Sequence, residues 1–186
     1  MSIACLFVRL GWAQKMDRSA QSNVAAHLDP QLRSPAFDEG RLHTVPWQSG
    51  ITGIAYNRKA LGREIKSVKD HNPDIEFVVP EEGAELWAES LLVPNLARHK
   101  ANAEALIDYY YDPEVAADLA ASVNYVCPVP AAREVLAASD DKETAELAEN
   151  PLIFPDGDMR KRLVVARDSS AERQSFAKRW NSIVGL

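Results

Sequence analysis

An α/β or α+β domain is predicted by three observations. Short apolar stretches of strand character lie between residues 42 and 92, helical periodicity dominates the second half of the chain, and the composition suits a packed core. Of 186 residues, 46% are hydrophobic and 26% charged, the balance of a globular rather than a disordered chain. That length suits one domain or two small lobes. The net charge of −6 argues against nucleic acid as a main partner, because phosphate binding needs a basic surface. It is compatible with a cationic ligand, although a mildly acidic surface commonly serves solubility alone.

Residues 4–16, "ACLFVRLGWAQKM", predict a short helix, or the end of one, stopped by a polar stretch. Residues 17–40, rich in Ser, Asn, Asp and Pro, predict loop with one turn of helix. "LHTVPWQSGITGIAYN", 42–57, reads as one extended strand broken near Gly50, with a short helix over "RKALGREIKSV". "HNPD" is a turn, and alternation of Ile75, Phe77 and Val79 marks a strand in "IEFVVP". "PEEGAE" then reads as a hairpin connection into a strand "LWAESLLVP".

Beyond that strand the chain is helical. Ala103, Leu106, Ile107 and Tyr110 fall at helical spacing. Asp112-Pro113-Glu114 is a helix start: a capping carboxylate, proline at the first helical position, and an acid near the positive helix end. That helix ends at Asn124, and the prolines of "YVCPVP" keep the next stretch extended. Two short helices come next, over "AAREVLAAS" and "DKETAELAEN", then a loop "PLIFPDGD" and a short helix through "MRKRLVV". Ser169 and Glu172 stand in capping-box spacing ahead of a last helix striped by Phe176, Trp180 and Ile183. Trp12 and Trp180 read as core or lobe-packing residues. Of the three tyrosines in "DYYYD", one or two pack inward and the rest sit at an interface.

No motif of catalysis emerges. There is no GxSxG, no GxxxxGK[ST] and no GxGxxG, so no nucleophile elbow, phosphate loop or dinucleotide turn. His27, His43, His71 and His99 are scattered, and Cys5 and Cys127 form no CxxC pair, so neither a metal site nor a cofactor is expected. No feature of the sequence supports a disulfide between the two cysteines, and whether they pair stays open. "DGD" at 156–158 reads as a turn capping the next helix rather than a metal loop. No apolar run approaches the roughly 18 residues of a membrane span. The opening "MSIACLFVRLGW" lacks the length and cleavage region of a signal peptide, so none is expected in these residues.

One pattern stands apart. Trp87 and Glu89 lie two residues apart in a predicted strand, hence on one face and about 7 Å apart along it. In most proteins such a tryptophan packs and the glutamate reaches solvent. The alternative is a pocket for an organic cation. A tryptophan face attracts an ammonium by about 0.5 to 2 kcal/mol, and methylenes buried on it add ~0.8 kcal/mol each. A carboxylate then holds the charged end. Aliphatic polyamines need both features at this spacing.

These residues also resemble a known family. "HTVPWQSGITGIAYN" is similar to the segment that crosses between lobes in spermidine/putrescine-binding proteins, the solute receptors of polyamine ABC importers. Residues 72–133, from "NPDIEFVVPEEGAELWAESLLVP" through "DPEVA" to "VNYVCPVPAAR", resemble a long stretch of the same family. "NPLIFPD" and "VRLGWAQKMDRS" match its closing region and a helix-to-loop segment. The resemblance implies a two-lobed, periplasmic-binding-protein type II-like α/β fold. It implies no enzymatic activity, a polyamine ligand, and partnership with the membrane-embedded permease subunits. Trp87 would stack on the polyamine chain, and Glu89 would grip an amine where relatives commonly carry Asp. Tyr125 would sit near the pocket, and Trp47 and Gln48 would line the cleft.

Family members are longer, so the resemblance implies a receptor lacking two pieces. One is the first β-α portion, before residue 8. The other is a large insert near residue 70, where "EIKSVKD" runs directly into "HNPDIEF". Residues 1–50 with 90–125 would form one lobe, and 51–89 with 126–186 the other. The family implies a periplasmic or extracytoplasmic location; the lack of a signal peptide leaves a cytoplasmic one open. Micromolar binding requires about 8 kcal/mol. One tryptophan face supplies at most about 2 and one near-surface charge contact roughly 4 before desolvation. The expectation is therefore a weakened polyamine receptor. Its rivals are a remnant without a transport role and a small amide-processing enzyme on a related fold.

Overall fold

The structure, a computed structural model, describes residues 3–57, 68–69, 75–165, 175 and 178–183. Its framework is a long antiparallel pair. Strand β1 (Thr44–Thr52) pairs with β5 (Ala84–Leu92), and the short β6 (Leu163–Val164) adds parallel to the far edge of β5, giving the order β1-β5-β6. A second sheet has the order β2-β4-β3, built from β2 (Ile54–Asn57), β3 (Val68–Lys69) and β4 (Ile75–Val78). All its pairings are antiparallel.

The chain passes between the two sheets twice. The predicted break in the 42–57 strand falls at Gly53, not Gly50. A β-carbon at Gly53 would lie 2.3 Å from Phe77 Cζ and 2.6 Å from the Val78 carbonyl oxygen, so only glycine lets β2 approach β4 this closely. The second passage is the turn after β4, where Gly83 N–H donates to the Pro80 carbonyl at 3.2 Å and Gly83 has φ +118°. The chemistry of "PEEGAE" predicts a hairpin at this turn. Instead β4 and β5 pair into different sheets, because β5 already has β1 as its partner along nearly its whole length.

Helices cover the rest of the core. α1 (Ile3–Arg9) is shorter than predicted, and Gly11 at φ +67° ends its last turn. Residues 17–41 carry more helix than the one predicted turn: α2 (Ser22–His27) and 3₁₀ turns at Arg18–Ala20, Pro30–Leu32 and Glu39–Arg41. α3 (Lys100–Tyr109) and α4 (Pro113–Val123) match expectation. Asp112 caps α4 by accepting from the Glu114 N–H at 2.9 Å, and Asn124 closes it in the left-handed conformation at φ 54°. α5 (Ala132–Ala137), α6 (Lys142–Glu146) and α7 (Gly157–Arg162) follow, and residues 178–183, within the predicted last helix, are helical. "LVV" does not extend α7: Leu163 and Val164 are β6, drawn into strand by the free edge of β5.

One buried cluster runs from Met16, Val24 and Val45 through Val93 and Ile107 to Val129 and Ile153. It draws on residues from both sides of the expected lobe division. Cys127 lies in this cluster, its thiol pushed up to about 11 by burial, and no disulfide joins it to Cys5. The helix predicted over 58–68 and the capping pair Ser169 and Glu172 lie outside the described residues, apart from Val68, which is in β3. Trp180 and Ile183 are 62% and 77% exposed, and Trp12 is 51% exposed, resting edge-on against Phe7 with ring centroids 5.6 Å apart. None of the three is core. Among the described residues no helix is long and apolar enough to cross a membrane.

Beneath β1 lies a polar cluster with unusually complete pairing. The Asp38 carboxylate accepts from the backbone N–H of His43 and Thr44, the Thr44 hydroxyl at 2.7 Å, and the His43 ring at 3.0 Å. Burial works to raise its pKa, but these hydrogen bonds outweigh it and the net shift is downward. Arg41, 5% exposed, donates to Thr44 Oγ1 and the Leu32 carbonyl; burial lowers it to about 10, so it stays charged at neutral pH. Tyr111, buried, donates its hydroxyl to the Pro46 carbonyl.

This cluster sets two expectations for stability. Tyr111→Phe leaves the Pro46 carbonyl without its partner and lowers unfolding free energy by about 1–3 kcal/mol in denaturant titration. Asp38, with its folded pKa depressed, contributes stability that is complete above the unfolded value of about 4 and lost as pH falls through the folded one. Denaturant midpoints measured from pH 6 downward should therefore converge between the native chain and Asp38→Asn at the acid end. Equal midpoints at pH 6 would refute this role.

Candidate functional site

The site is positioned by an irregularity in the β1–β5 ladder. Pro46 pairs with Ser90 and Ser49 with Ala88, so two residues of β1, Trp47 and Gln48, oppose one residue of β5, Glu89. This is a β-bulge, the device that bends a strand and re-aims its side chains. The regular ladder resumes beyond it, with Gly50 opposite Trp87. A third strand-like segment closes the group: Ser49 and Val126 exchange backbone hydrogen bonds of 3.2 and 2.7 Å, which sets Tyr125 beside the sheet.

Trp87 lies across Gly50. A β-carbon at position 50 would fall 2.0 Å from Cζ2 and 2.3 Å from Cε2 of the indole. The ring thus rests on bare backbone, and Tyr125 meets it edge-on, with centroids 5.3 Å apart and planes at 84°. Tyr125 is 40% exposed and Trp87 half-buried, so this aromatic pair keeps surface open to solvent. Glu89, two residues on and on the same face by alternation, is exposed. Such an arrangement can hold an organic cation, with methylenes on the rings and charge on the carboxylate.

The five predicted residues therefore converge on the bulge. Trp87 and Tyr125 are in contact, and Glu89 faces Trp47 and Gln48 across the ladder. Within the group they divide. Trp47 turns to the helical side, its ring 6.2 Å from that of Tyr110, while Gln48 is 2% exposed and two residues from Gly50, on Trp87's face by alternation. Two buried polar atoms here have no hydrogen-bond partner, Trp47 Nε1 and Gln48 Oε1. Of "DYYYD", Tyr111 is buried, Tyr110 meets Trp47 and Tyr109 is 58% exposed.

Sequence reasoning missed Glu85. It began the strand at Leu86, whereas β5 starts at Ala84, so Glu85, Trp87 and Glu89 alternate along one face. The signal is the same alternation continued two residues upstream of Trp87, into a stretch whose Gly and Glu content has the chemistry of a turn. Among the described residues no group of three or more His, Cys, Asp or Glu is placed to hold a metal ion.

The family model for bacterial extracellular solute-binding proteins matches residues 64–161, just over half of the chain. The chain belongs to that family. A spermidine/putrescine-binding periplasmic protein of Salmonella typhimurium is 34% identical over 82 residues, covering 44% of this chain and 22% of the relative. Spermidine/putrescine-binding periplasmic protein 1 of Haemophilus influenzae is 26% identical over 116 residues, 62% of this chain and 30% of that one. The matched stretches thus span less than a third of these relatives. The fold agrees with solved structures. A spermidine/putrescine ABC transporter substrate-binding protein from Streptococcus pneumoniae superposes with TM-score 0.77 at 17% identity, covering 93% of this chain and 77% of that one. A lipoprotein of Treponema pallidum gives TM-score 0.71 at 14% identity, covering 96% and 80%. The fold is accordingly that of periplasmic binding proteins, and the family is one of solute receptors rather than enzymes.

Gly50→Val forces the Trp87 indole off the strand and out of contact with Tyr125, at a stability cost of about 1–3 kcal/mol. The check is tryptophan emission and acrylamide quenching. Both should shift in Gly50→Val and stay put when the same change is made in a Trp87→Phe background.

Proposed function

We propose that this chain binds polyamines as the extracytoplasmic solute receptor of an ABC importer, without enzymatic activity. The reading rests on one observation: an open aromatic pair, Trp87 and Tyr125, on a strand face that places a carboxylate to either side, Glu85 and Glu89. A linear polycation matches this acid–aromatic–acid order. Its methylenes cover the rings while its ammonium groups reach the acids. Names carried by the relatives, several of them spermidine/putrescine-binding proteins, agree with that chemistry. In this reading the permease subunits are the partners that receive the ligand.

The carboxylates here are open to water, where charge contacts are screened. Affinity is therefore expected to be weaker than micromolar, a threshold that needs about 8 kcal/mol. Intrinsic tryptophan fluorescence titrated with spermidine should quench saturably. Trp87→Leu should abolish the response, and Glu89→Gln should weaken binding by on the order of tenfold. A flat titration of a folded chain would remove the proposal.

A further inference from the structure

The bulge holds a feature that the aromatic–acid wall leaves unexplained. Gln48 is 2% exposed and its side-chain oxygen has no hydrogen-bond partner, although nearly all buried acceptors in folded proteins are paired. Its place is specific. It opposes Glu89 across the ladder and stands two residues from Gly50, on which the Trp87 ring lies. The adjoining Ser49–Val126 bridge carries Tyr125 to the same point. An orphaned neutral acceptor therefore belongs to the residue that opposes a carboxylate across the ladder, two positions from the glycine on which one of two paired rings lies.

The rings alone do not choose among organic cations, and the exposed carboxylates choose only weakly, because water competes for the N–H bonds they accept. A quaternary ammonium, whose nitrogen carries only alkyl groups, is attracted to aromatic faces as an amine is, and to acids by charge without the N–H bond. An acceptor such as Gln48 Oε1 does choose, because it rewards only a cation bearing N–H. Trp47 Nε1, the other orphaned atom, has no such use: it is a donor, a cation offers it nothing to accept with, and its ring packs on Tyr110.

We infer that Gln48 is a specificity residue of this site: its side-chain oxygen accepts a hydrogen bond from an N–H of a protonated primary or secondary amine, so the site selects such amines over fully alkylated ammonium ions. This rests on the polyamine reading and adds to it the basis of discrimination. The physical reason is asymmetric. A ligand that pairs the buried oxygen gains a charge-assisted hydrogen bond, while one that covers it with methyl groups leaves it unpaired and still cut off from water.

The test uses the whole chain and two probes, spermidine and its fully N-methylated quaternary analogue, titrated into the native protein and Gln48→Met. Methionine keeps length and loses the strong acceptor. Native protein should bind spermidine more tightly. Gln48→Met should weaken spermidine by about tenfold or more while changing the quaternary probe less than twofold, so the preference shrinks. Should Gln48→Met fail to fold, Gln48→Asn, which keeps the amide but withdraws it, should give the same selective loss. Spermidine affinity unchanged in the folded variant, or an equal loss for both probes, would overturn the role of Gln48 and leave the polyamine reading standing. Failure of native protein to bind either probe would bring down both.

Discussion

Nearly everything in this molecule that bears on function hangs on the pairing of β1 with β5. The ladder runs from Thr44↔Leu92 to Thr52↔Glu85 and is interrupted once, at Trp47 and Gln48. Register is what matters here. Side chains alternate faces, so a slip of one residue would turn Trp87 and Glu89 away from their present face together. Two local constraints oppose that slip. Gly50 is the bare position on which the indole can lie, and the bulge absorbs the extra residue of β1. The Ser49–Val126 bridge then ties the chain after α4 to the same rung, so the aromatic pair of Trp87 and Tyr125 is fixed from both partners.

Support for the bulge comes from the first part of the chain. Asp38, Arg41 and Thr44 hydrogen-bond one another just before β1, and Tyr111, at the end of α3, holds the Pro46 carbonyl where the ladder breaks. A backbone carbonyl buried beside a bulge needs a hydrogen-bond partner. Tyr111 meets that need from the helical side, and its own burial raises its pKa far enough that the phenol stays protonated as a donor. Loop residues 17–41 are thus not mere connection. Their short helical turns assemble the buried polar groups on which the start of β1 rests.

Local rules were legible in the sequence where a local cause decides the outcome. The Asp112-Pro113 start of α4 depends on a carboxylate two residues from an N–H, and Asn124 ends it by adopting a conformation few side chains accept. Alternation alone placed Trp87 and Glu89 on one face. Non-local pairing was not legible. "PEEGAE" has the chemistry of a hairpin, and it does turn at Gly83, but whether the flanking strands pair depends on distant partners. Likewise "LVV" continues a helical pattern until a strand edge recruits it. Trp12 and Trp180 show the limit of composition: a large aromatic is assigned to the core by its chemistry, yet burial needs a neighbouring element to cover it.

Asp38 and Gln48 met the same demand in opposite ways. They lie ten residues apart around the same strand start, and both are almost fully buried. The Asp38 carboxylate, costly to bury, has donors on every side and ends with a lowered pKa. Gln48, cheaper to bury, keeps an acceptor unmatched. Folding stability alone would favour an apolar side chain at position 48, since an unpaired buried carbonyl costs about 1–3 kcal/mol. A polar group that does not help the fold, set where an aromatic face and a carboxylate meet, makes physical sense when its partner is brought by the ligand. On the proposed reading the fold bears a modest destabilisation at one bulge, and the site gains a buried acceptor that tells N–H from N–methyl more sharply than the water-exposed acids do.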